Sequence, residues 1–429
     1  MFETLKNAWK IKEIRNKIFF TIFIILIFRI GAVIPVPYID VAALKAATES
    51  GAANEFFSYL SILTGGGLEY GAIFAMSVTP YINASIIVQL LCVAIPYLER
   101  LSKEGEEGQK KLAQITRYTT VILALIQGIA YFFYLKNSSY LSVKGTFATI
   151  FASIVIVLSF TAGSALVMWL GERIDEKGIG NGISMLLFAG ILSRGPQAFM
   201  ALWVYLTEYK YYFAVIGIVV AFLVIIAFVV WMTAAERRIP IQYAKRVVGN
   251  KMYGGQNTHM PIKVNMSGVM PIIFASSILM LPTMILSFMK VTNPPTSLYK
   301  FLSLFSVQGV FYAVIYFILI IGFAYFYATI QFNPVEMANN LRKNGGAIPG
   351  IRPGKPTSDF ISKILSRITL MGAIFLSAIA IVPIIIGSVG QINISLGGTS
   401  VLIMVGVALD TVRNLESQMM MRHYKGFLD

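Results

Sequence analysis

A cluster of basic side chains marks the stretch of sequence with the clearest binding chemistry. The stretch 236–263 contains one acidic residue, Glu236, and these cationic ones: Arg237, Arg238, Lys245, Arg246, Lys251 and Lys263. Guanidinium and ammonium groups form charge-assisted hydrogen bonds with anionic groups. We therefore expect this stretch to be a docking element for a partner.

Residues that could carry catalysis are sparse. The apolar segments hold Arg29, Asp410 and little else that ionises, and both lie toward one end of their segment, where snorkelling or a helix-end partner accounts for them. His259 and His423 are far apart in sequence and have no metal-ligand spacing around them. No nucleophile–base pair or phosphate-binding loop is visible. We therefore predict that the protein is not an enzyme and has no metal ion or other cofactor.

The glycine-rich sequence Gly-Ile-Gly-Asn-Gly-Ile-Ser at 178–184 resembles a dinucleotide-binding loop only superficially. Such a loop follows a β-strand, whereas no strand pattern precedes this one and an apolar segment follows it. We favour a flexible entry into a helix, with Asn181 or Ser184 available as its N-cap.

Composition indicates a polytopic membrane protein. Of 429 residues, 57% are hydrophobic and 13% are charged, and the mean hydropathy is +0.73, whereas a soluble domain is about 25% charged. The single cysteine, Cys92, excludes a disulfide within the chain. The basic N-terminus precedes an apolar run without a small-residue cleavage site, so we predict a retained first span rather than a signal peptide.

Ten apolar segments are long enough to cross a bilayer, which takes about 20 helical residues. They lie at about 18–36, 70–97, 114–135, 147–170, 181–203, 212–234, 264–288, 306–331, 367–388 and 398–420. The loops between them alternate in their content of Lys and Arg, and basic loops stay on the cytoplasmic side. This bias predicts that both termini and the large loops 235–263 and 332–367 are cytoplasmic.

The predicted fold is an all-α polytopic membrane protein made of two halves. The N-terminal half, 1–203, holds spans 1–5, and the C-terminal half, 204–429, holds spans 6–10. An odd number of spans in each half inverts the second half, which allows a pseudo-two-fold axis in the membrane plane. No clear sequence similarity links the halves, so the pseudo-symmetry is a structural hypothesis.

The outer segment 37–69 contains an amphipathic stretch, 54–63, that is too short to span a membrane. Gly65, Gly66 and Gly67 follow it and end any helix, because glycine loses the most backbone entropy in a helix. Two interpretations stay open: a helix lying on the outer leaflet, and a half-helix folded back into the bundle with the glycines as its hinge.

The second span carries a row of β-branched side chains at helical spacing. Val78, Ile82 and Ile86 share one helix face, and simple packing explains such a row. Pro80 is expected to kink the helix inside this span, because proline removes a backbone hydrogen bond. Gln89 adds a polar group to the same helix.

The basic stretch has the alternation of β-structure. Ile239, Ile241 and Tyr243 alternate with polar neighbours such as Gln242. The dipeptide at 249–250 is Gly-Asn, which tight turns favour. We therefore predict an extended hairpin in this loop rather than a helix.

Long motifs along the whole chain resemble those of the SecY family of bacterial protein-conducting channels and their eukaryotic relatives. The motifs are SVTPYINASIIVQLL at 77–91, MWLGERIDEKGIGNGIS at 168–184, RIPIQYAKRVVGNKMYGGQNTHMPIKVNMSGVMPIIFASSI at 238–278, FNPVEMANNLRKNGGAIPGIRPGKPT at 332–357 and GGTSVLIMVGVALD at 397–410. The resemblance runs from the first span to the last, and it implies a location in the cytoplasmic (inner) membrane.

The resemblance implies two inverted halves around an hourglass pore that is closed at its waist by aliphatic side chains and plugged from outside. Carried over by position, the ring at the waist is Val78, Ile82, Ile183, Leu187, Ile273 and Ile403. The plug, a short re-entrant helix at about 55–66 with its hinge, comprises Glu55, Phe56, Phe57, Leu60, Ile62, Leu63, Gly65, Gly66 and Gly67. The family mostly has isoleucine in the ring, so Val78 and Leu187 leave its diameter open.

The resemblance also implies a lateral gate and several partners. The gate lies between spans two and three on one side and seven and eight on the other, with Ile86, Gln89, Gln127 and Asn265 along it; ordinary interhelical hydrogen bonds explain the polar members equally well. The implied partners are SecE and usually SecG, together with the motor ATPase SecA or a translating ribosome and its ribosomal RNA. The docking residues are Arg237, Arg238, Lys245, Arg246, Lys251 and Arg352. Many relatives have a second basic pair where this chain has Asn250 and Lys251, which leaves the strength of ribosome contact open.

Together with the resemblance, the apolar spans and the basic loops predict a passive channel. The channel binds signal sequences, moves unfolded secretory polypeptides across the membrane and releases apolar segments sideways into membrane lipid. The alternative is an inverted-repeat secondary transporter, which requires carboxylates or a substrate-sized polar site at mid-membrane. The spans show neither. A structural scaffold without a pore is a third alternative.

Overall fold

The computed structural model describes residues 9–49, 64–143, 145–207, 212–243, 246–248, 251–253, 257–266, 268–289, 297, 310–390 and 398–425. The helices of the first half are α1 Lys12–Gly31, α2 Val41–Glu49, α3 Thr79–Ala94, α4 Pro96–Lys103, α5 Glu106–Asn137, α6 Thr146–Lys177, α7 Gly182–Leu192 and α8 Gly195–Thr207. Those of the second half are α9 Tyr212–Ala234, α10 Met270–Met289, α11 Val310–Gln331, α12 Pro334–Lys343, α13 Lys355–Gly390 and α14 Gly398–Lys425. The strands are β1 Glu236–Tyr243, β2 Arg246–Val248, β3 Lys251–Tyr253, β4 Asn257–Lys263 and β5 Gly346–Ala347.

Each of the ten predicted spans contains a helix. By length and apolarity, six helical stretches of the described chain could cross a membrane, or seven if α3 and α4 count as one bent span. The protein is therefore a mainly helical, multi-pass membrane protein. The count of ten spans, the orientation and the inverted symmetry stay predictions.

The second predicted span begins later than the sequence indicated. Residues 64–78 form a succession of turns, and α3 starts at Thr79. Pro80 therefore lies in the first turn of α3, where its missing N–H costs no hydrogen bond, so the kink predicted at Pro80 is wrong. The bend lies at Ile95, where α3 and α4 meet at 104°, because Pro96 disfavours helical backbone in the residue before it.

The turns at 64–77, called the turn segment below, are held by hydrogen bonds to neighbouring protein. Val36 N donates to Gly71 O at 2.9 Å, and Ile73 N donates to Ile34 O at 3.0 Å. Backbone without regular structure is tolerated at membrane depth only where protein or water satisfies it. These bonds meet part of that requirement.

Buried apolar side chains form clusters within and between the two halves. One cluster joins the turn segment to α5 and α6 through Leu68, Tyr131 and Phe160. A second joins helices of the second half and includes Ile272 and Tyr316. A third, called the central cluster below, contains side chains of α1, α3, α6, α7, α10 and α14. Because it draws on both halves, the central cluster is a place where they meet.

The basic stretch forms the predicted hairpin. β1 pairs with β4 in an antiparallel ladder, and β2 pairs with β3 so that Val248 lies opposite Lys251. The predicted turn residues, Gly249 and Asn250, lie outside the described residues. β5, from the other large loop, pairs with the end of β1, which gives the sheet order β4–β1–β5. The sequence had not indicated that the two large loops share a sheet.

The two large loops also share a small apolar core. Ile239 and Ile262 of the hairpin pack with Ile348, Ile361 and residues of α13 that follow. Ile361 is fully buried. The sheet and this core make one unit of both loops, which we call the platform.

Candidate functional site

The side chains predicted to form the ring lie together. All of them belong to the central cluster. Val78, Ile183, Leu187 and Ile403 are buried, and Ile82 and Ile273 are half-buried. The structure therefore brings aliphatic side chains from α3, α7, α10 and α14 to one place, although their role as a pore ring stays a prediction.

The start of α3 positions the first two of these side chains. Val78 is the N-cap of α3, and Ile82 N donates to Val78 O at 3.0 Å, so both residues lie one turn apart on one face. Ser77, just before them, has a φ of 49°, a conformation that only a few per cent of non-glycine residues adopt. The sharp turn at Ser77 thus separates the turn segment from α3.

A capped turn positions α7. Asn181 Oδ1 accepts a hydrogen bond from Ser184 N at 3.0 Å, which confirms the predicted N-cap. Asp175 Oδ1 accepts from Gly182 N at 2.7 Å, and Thr21 Oγ1 accepts from Ile179 N at 3.2 Å. These side-chain acceptors satisfy backbone donors at and before the start of α7, so the entry into α7 is a hydrogen-bonded turn rather than the flexible entry that we expected from its glycines.

Close approach of α6 and α7 sets the position of Ile183. A Cβ atom built on Gly171 of α6 would lie 2.6 Å from Ile183 Cδ1, and one built on Gly182 would lie 2.8 Å from the carbonyl carbon of Gly171. Neither glycine has room for a side chain without movement of its neighbour. The two glycines therefore set how far α7 lies from α6.

The predicted plug is described only at its glycine end. The plug residues Glu55–Leu63 lie outside the described residues. Gly65 and Gly66 have φ values of 67° and 92°, which glycine adopts without steric cost. Gly65 O accepts a hydrogen bond from Arg29 Nη1 at 3.3 Å. Arg29, in the last turn of α1, therefore has a partner at the end of its helix, which is one of the two explanations suggested by the sequence.

Of the predicted gate residues, Ile86 and Gln89 lie on α3, Gln127 lies on α5, and Asn265 lies five residues before α10, near Gly372 of α13. The helices α3, α5 and α10 touch one another across the two halves. Ile86 is buried and Gln127 half-buried. Gln89 Nε2 donates to Ser85 Oγ at 3.4 Å, and Gln89 Oε1 and Asn265 Oδ1 are buried without a hydrogen-bond partner among the described residues.

Apart from Lys245, the predicted docking residues belong to the platform or its turns. Arg237 and Arg238 are exposed on β1, and Arg238 Nε pairs with Glu236 Oε1 at 2.8 Å. Arg246 and Lys251 belong to β2 and β3, and Lys245 lies outside the described residues. Arg352 is exposed in the turn before α13, where Thr357 Oγ1 donates to Arg352 O at 2.9 Å. The platform thus presents cationic side chains from both large loops.

The outer faces of the helices are apolar. On α9, Ile216, Val220, Leu223 and Trp231 are more than half exposed, as expected of side chains that contact lipid. Within the described residues, no three His, Cys, Asp or Glu side chains come together to hold a metal ion.

Comparison with known proteins identifies the family. The family model named SecY matches residues 72–412. The chain belongs to the SecY family. Protein translocase subunit SecY of Thermotoga maritima is 42% identical over 436 residues, which cover 100% of this chain and 98% of that relative. The resemblance noted from the sequence is therefore confirmed.

Solved structures show that the fold is that of SecY and its relatives. A solved protein-conducting channel matches with a TM-score of 0.64 at 17% identity, over 94% of this chain and 92% of that one. Sec61 in a canine ribosome–channel complex from the endoplasmic reticulum matches with a TM-score of 0.58 at 15% identity, over the same shares. At these identities the likeness concerns the fold.

Two charged residues of this chain were not predicted from the sequence to form a pair. Arg194 and Glu69 form an ion pair that joins the turn segment to the end of α7. A signal was present, since each charge interrupts or borders an apolar segment, where an unpaired charge is costly. Their distance of 125 positions in sequence hid the pairing.

Proposed function

We propose that the chain is the channel subunit through which unfolded secretory polypeptides cross the cytoplasmic membrane, and from which apolar segments move sideways into lipid. The observation that carries this proposal is the meeting of aliphatic side chains from both halves in the central cluster. The 42% identity to a protein translocase subunit and the fold of a protein-conducting channel support it. Membership of the SecY family does not favour the secondary transporter.

The physical properties of the ring suit a channel for polypeptides. A narrow constriction of aliphatic side chains expels water and thereby blocks ions. It makes no directional bonds, so it can deform around successive side chains of a passing chain. A site that selects a small ion needs carbonyl or charged rings instead.

The remaining architecture is part of the same proposal. Ten spans in two inverted halves, with both termini in the cytoplasm, place the platform toward the machinery that delivers substrates. The plug, 55–66, would close the outer side of the ring and swing on Gly65, Gly66 and Gly67. Positive φ at Gly65 and Gly66 supports this hinge.

We place the lateral gate at the contact of α3 and α5 with α10. A gate must be cohesive enough to close and weak enough for a signal sequence to open. Interhelical hydrogen bonds in membranes contribute about 0.6 kcal/mol on average, and Gln89 Oε1 and Asn265 Oδ1 make none to the described residues. The seam is therefore held mainly by apolar packing, which an apolar signal sequence can replace.

Energy for transport comes from partners that dock on the platform. We propose SecA and the ribosome for this role and SecE, with SecG, as companion subunits in the membrane. The exposed Arg237, Arg238 and Arg352 support docking by charge, and ribosomal RNA is an anionic target for them. The fold shared with Sec61 of a ribosome–channel complex is consistent with this partner.

Site-specific photocrosslinking tests the channel. A photoreactive residue is placed at Ile82, Ile183, Ile273 or Ile403 of the complete complex, and a secretory precursor is stalled midway. We expect adducts at all of these positions. A probe at Val219, 42% exposed on the outer face of α9, is the control and should give none.

The result that would contradict the channel is a stalled, engaged precursor that labels none of the ring positions. The path would then have to be sought at the seam near Gln89. Adducts at the ring and at Val219 alike would show only that the precursor contacts the outside of the protein.

A further inference from the structure

Glu69 and Arg194 form the most buried ion pair among the described residues. Glu69 belongs to the turn segment, and Arg194 lies between α7 and α8. Their side chains are 17% and 11% exposed, whereas the pair of Arg117 and Glu172 is 21% exposed at its better-shielded partner and 48% at the other. Partial removal from water strengthens the attraction between two charges.

Further contacts bring the same elements together beside this pair. Ser193 Oγ lies 3.5 Å from Gly65 O, which also accepts the hydrogen bond from Arg29. A Cβ atom built on Gly65 would lie 2.9 Å from Gly190 Cα. The backbone of the turn segment therefore lies directly against the end of α7, and Gly65 permits that approach.

Each partner of the pair lies within nine residues of a ring side chain along the chain. Leu187 lies on α7 seven residues before Arg194, about 10 Å along the helix axis. Val78 directly follows the turn segment. Within that segment, Leu68 O, next to Glu69, accepts a hydrogen bond from the buried Tyr131 hydroxyl at 3.1 Å. The ion pair thus joins the turn segment, which leads into Val78, to the end of α7, which carries Leu187.

We propose that Glu69 and Arg194 form a clasp that holds the turn segment against the outer end of α7 and so sets the resting width of the ring. Both are positioning residues, because they act through Val78 and Leu187. The proposal rests on the ring assigned under the proposed function. It implies that the first-half part of the ring stays together and that opening separates it from Ile273 of the second half.

Neutralising one partner should loosen the clasp, because the other charge then stays buried without compensation. Glu69→Gln keeps the shape of the side chain and removes its charge. In planar bilayers that contain the purified complex without substrate, we expect ion conductance about ten-fold above the parent, which lies within the usual range of coupling between two sites. Arg194→Gln should have the same effect.

The charge-swapped double variant E69R/R194E provides the decisive comparison. It should restore conductance toward the parental value, whereas loss of folding or of packing would not be rescued. Glu106→Gln is the matched control, since Glu106 pairs with Lys110 at a site where the side chains are 85% and 72% exposed. This control should leave conductance unchanged.

The possible outcomes distinguish a failure of the clasp proposal from a failure of the channel proposal. Suppose that the Glu69→Gln complex folds, that its ring still crosslinks to a stalled precursor, and that its conductance equals that of the parent. This result overturns the clasp and does not contradict the proposed channel. Absence of crosslinks in the parent overturns the proposed function itself. If the single variants do not accumulate, the swapped variant decides, because parental conductance supports the clasp and a leak contradicts it.

Discussion

Gln242 of β1 lies opposite Ala347 of β5 in an antiparallel ladder. This pairing joins two loops that are separated by two predicted spans, so the hairpin and the turn that carries Arg352 cannot move independently. A partner that binds either loop therefore acts on the whole platform. Because α10 follows β4 within the next seven residues, that partner also acts near the proposed gate.

We first predict that the core of the platform is required for docking. Ile361→Ala removes a fully buried side chain from the cluster shared by both loops, which typically costs about 2–5 kcal/mol. The expected result is weaker binding of SecA and of ribosomes to the complex, measured by co-sedimentation with membranes. Val335→Ala, at an exposed position of α12, should bind as the parent does, and equal binding by both variants would contradict the prediction.

Helices could be predicted from the sequence because an apolar run long enough to cross a bilayer crosses it as a helix. The start of α3 could not, since the turns at 64–78 replace a helix through hydrogen bonds with residues distant in sequence, such as Tyr131 and Val36. The hairpin could be predicted because apolar residues such as Ile239 and Ile241 alternate with other residues. The pairing of β1 with β5 could not be predicted, because β5 has only two residues, Gly346 and Ala347, which are too few for a recognisable strand pattern. The ring residues came from family resemblance, since β-branched rows alone also fit simple packing.

The second prediction concerns the two glycines that seat Ile183. In Gly171→Ala the one severe overlap of the new methyl group is with Ile183 Cδ1 at 2.6 Å, while Ile183 Cγ1 and N lie at 3.4 and 3.6 Å, so a shifted rotamer costs about 0.5–1.5 kcal/mol. In Gly182→Ala it meets the backbone of Gly171, and overpacking of this kind costs about 1–3 kcal/mol or more.

We therefore expect Gly171→Ala to fold normally but to alter resting conductance, and Gly182→Ala to lower the melting temperature of the complex. Gly217→Ala is the control, because a Cβ atom there meets nothing within 4 Å. The prediction is wrong if Gly171→Ala and Gly217→Ala have the same conductance and Gly182→Ala has the melting temperature of the parent.

The third prediction is that Asn265→Leu stabilises the closed gate. A buried polar atom without a partner costs about 1–3 kcal/mol, and Asn265 Oδ1 has none among the described residues. Replacing it with an apolar group should raise the hydrophobicity that a segment needs to leave sideways. The measurement is membrane insertion of test segments with graded leucine content, with Asn340→Leu on the exposed face of α12 as control. Unchanged insertion of marginal segments would count against a gate at this seam.

The last prediction separates bulk charge from specific contact on the platform. If Arg237 binds ribosomal RNA phosphate, binding weakens as salt rises, and each lost contact reduces the slope of log affinity against log salt by about 0.7–0.9. Arg237→Gln, at an exposed position of β1, should therefore lower ribosome affinity and reduce this slope, measured by titration at several salt concentrations. Lys110→Gln, whose side chain is 72% exposed and paired with Glu106, is the control for loss of one exposed positive charge. A weaker affinity with an unchanged slope would mean that Arg237 contacts ribosomal protein or acts through the hairpin, because only displaced counterions change the slope.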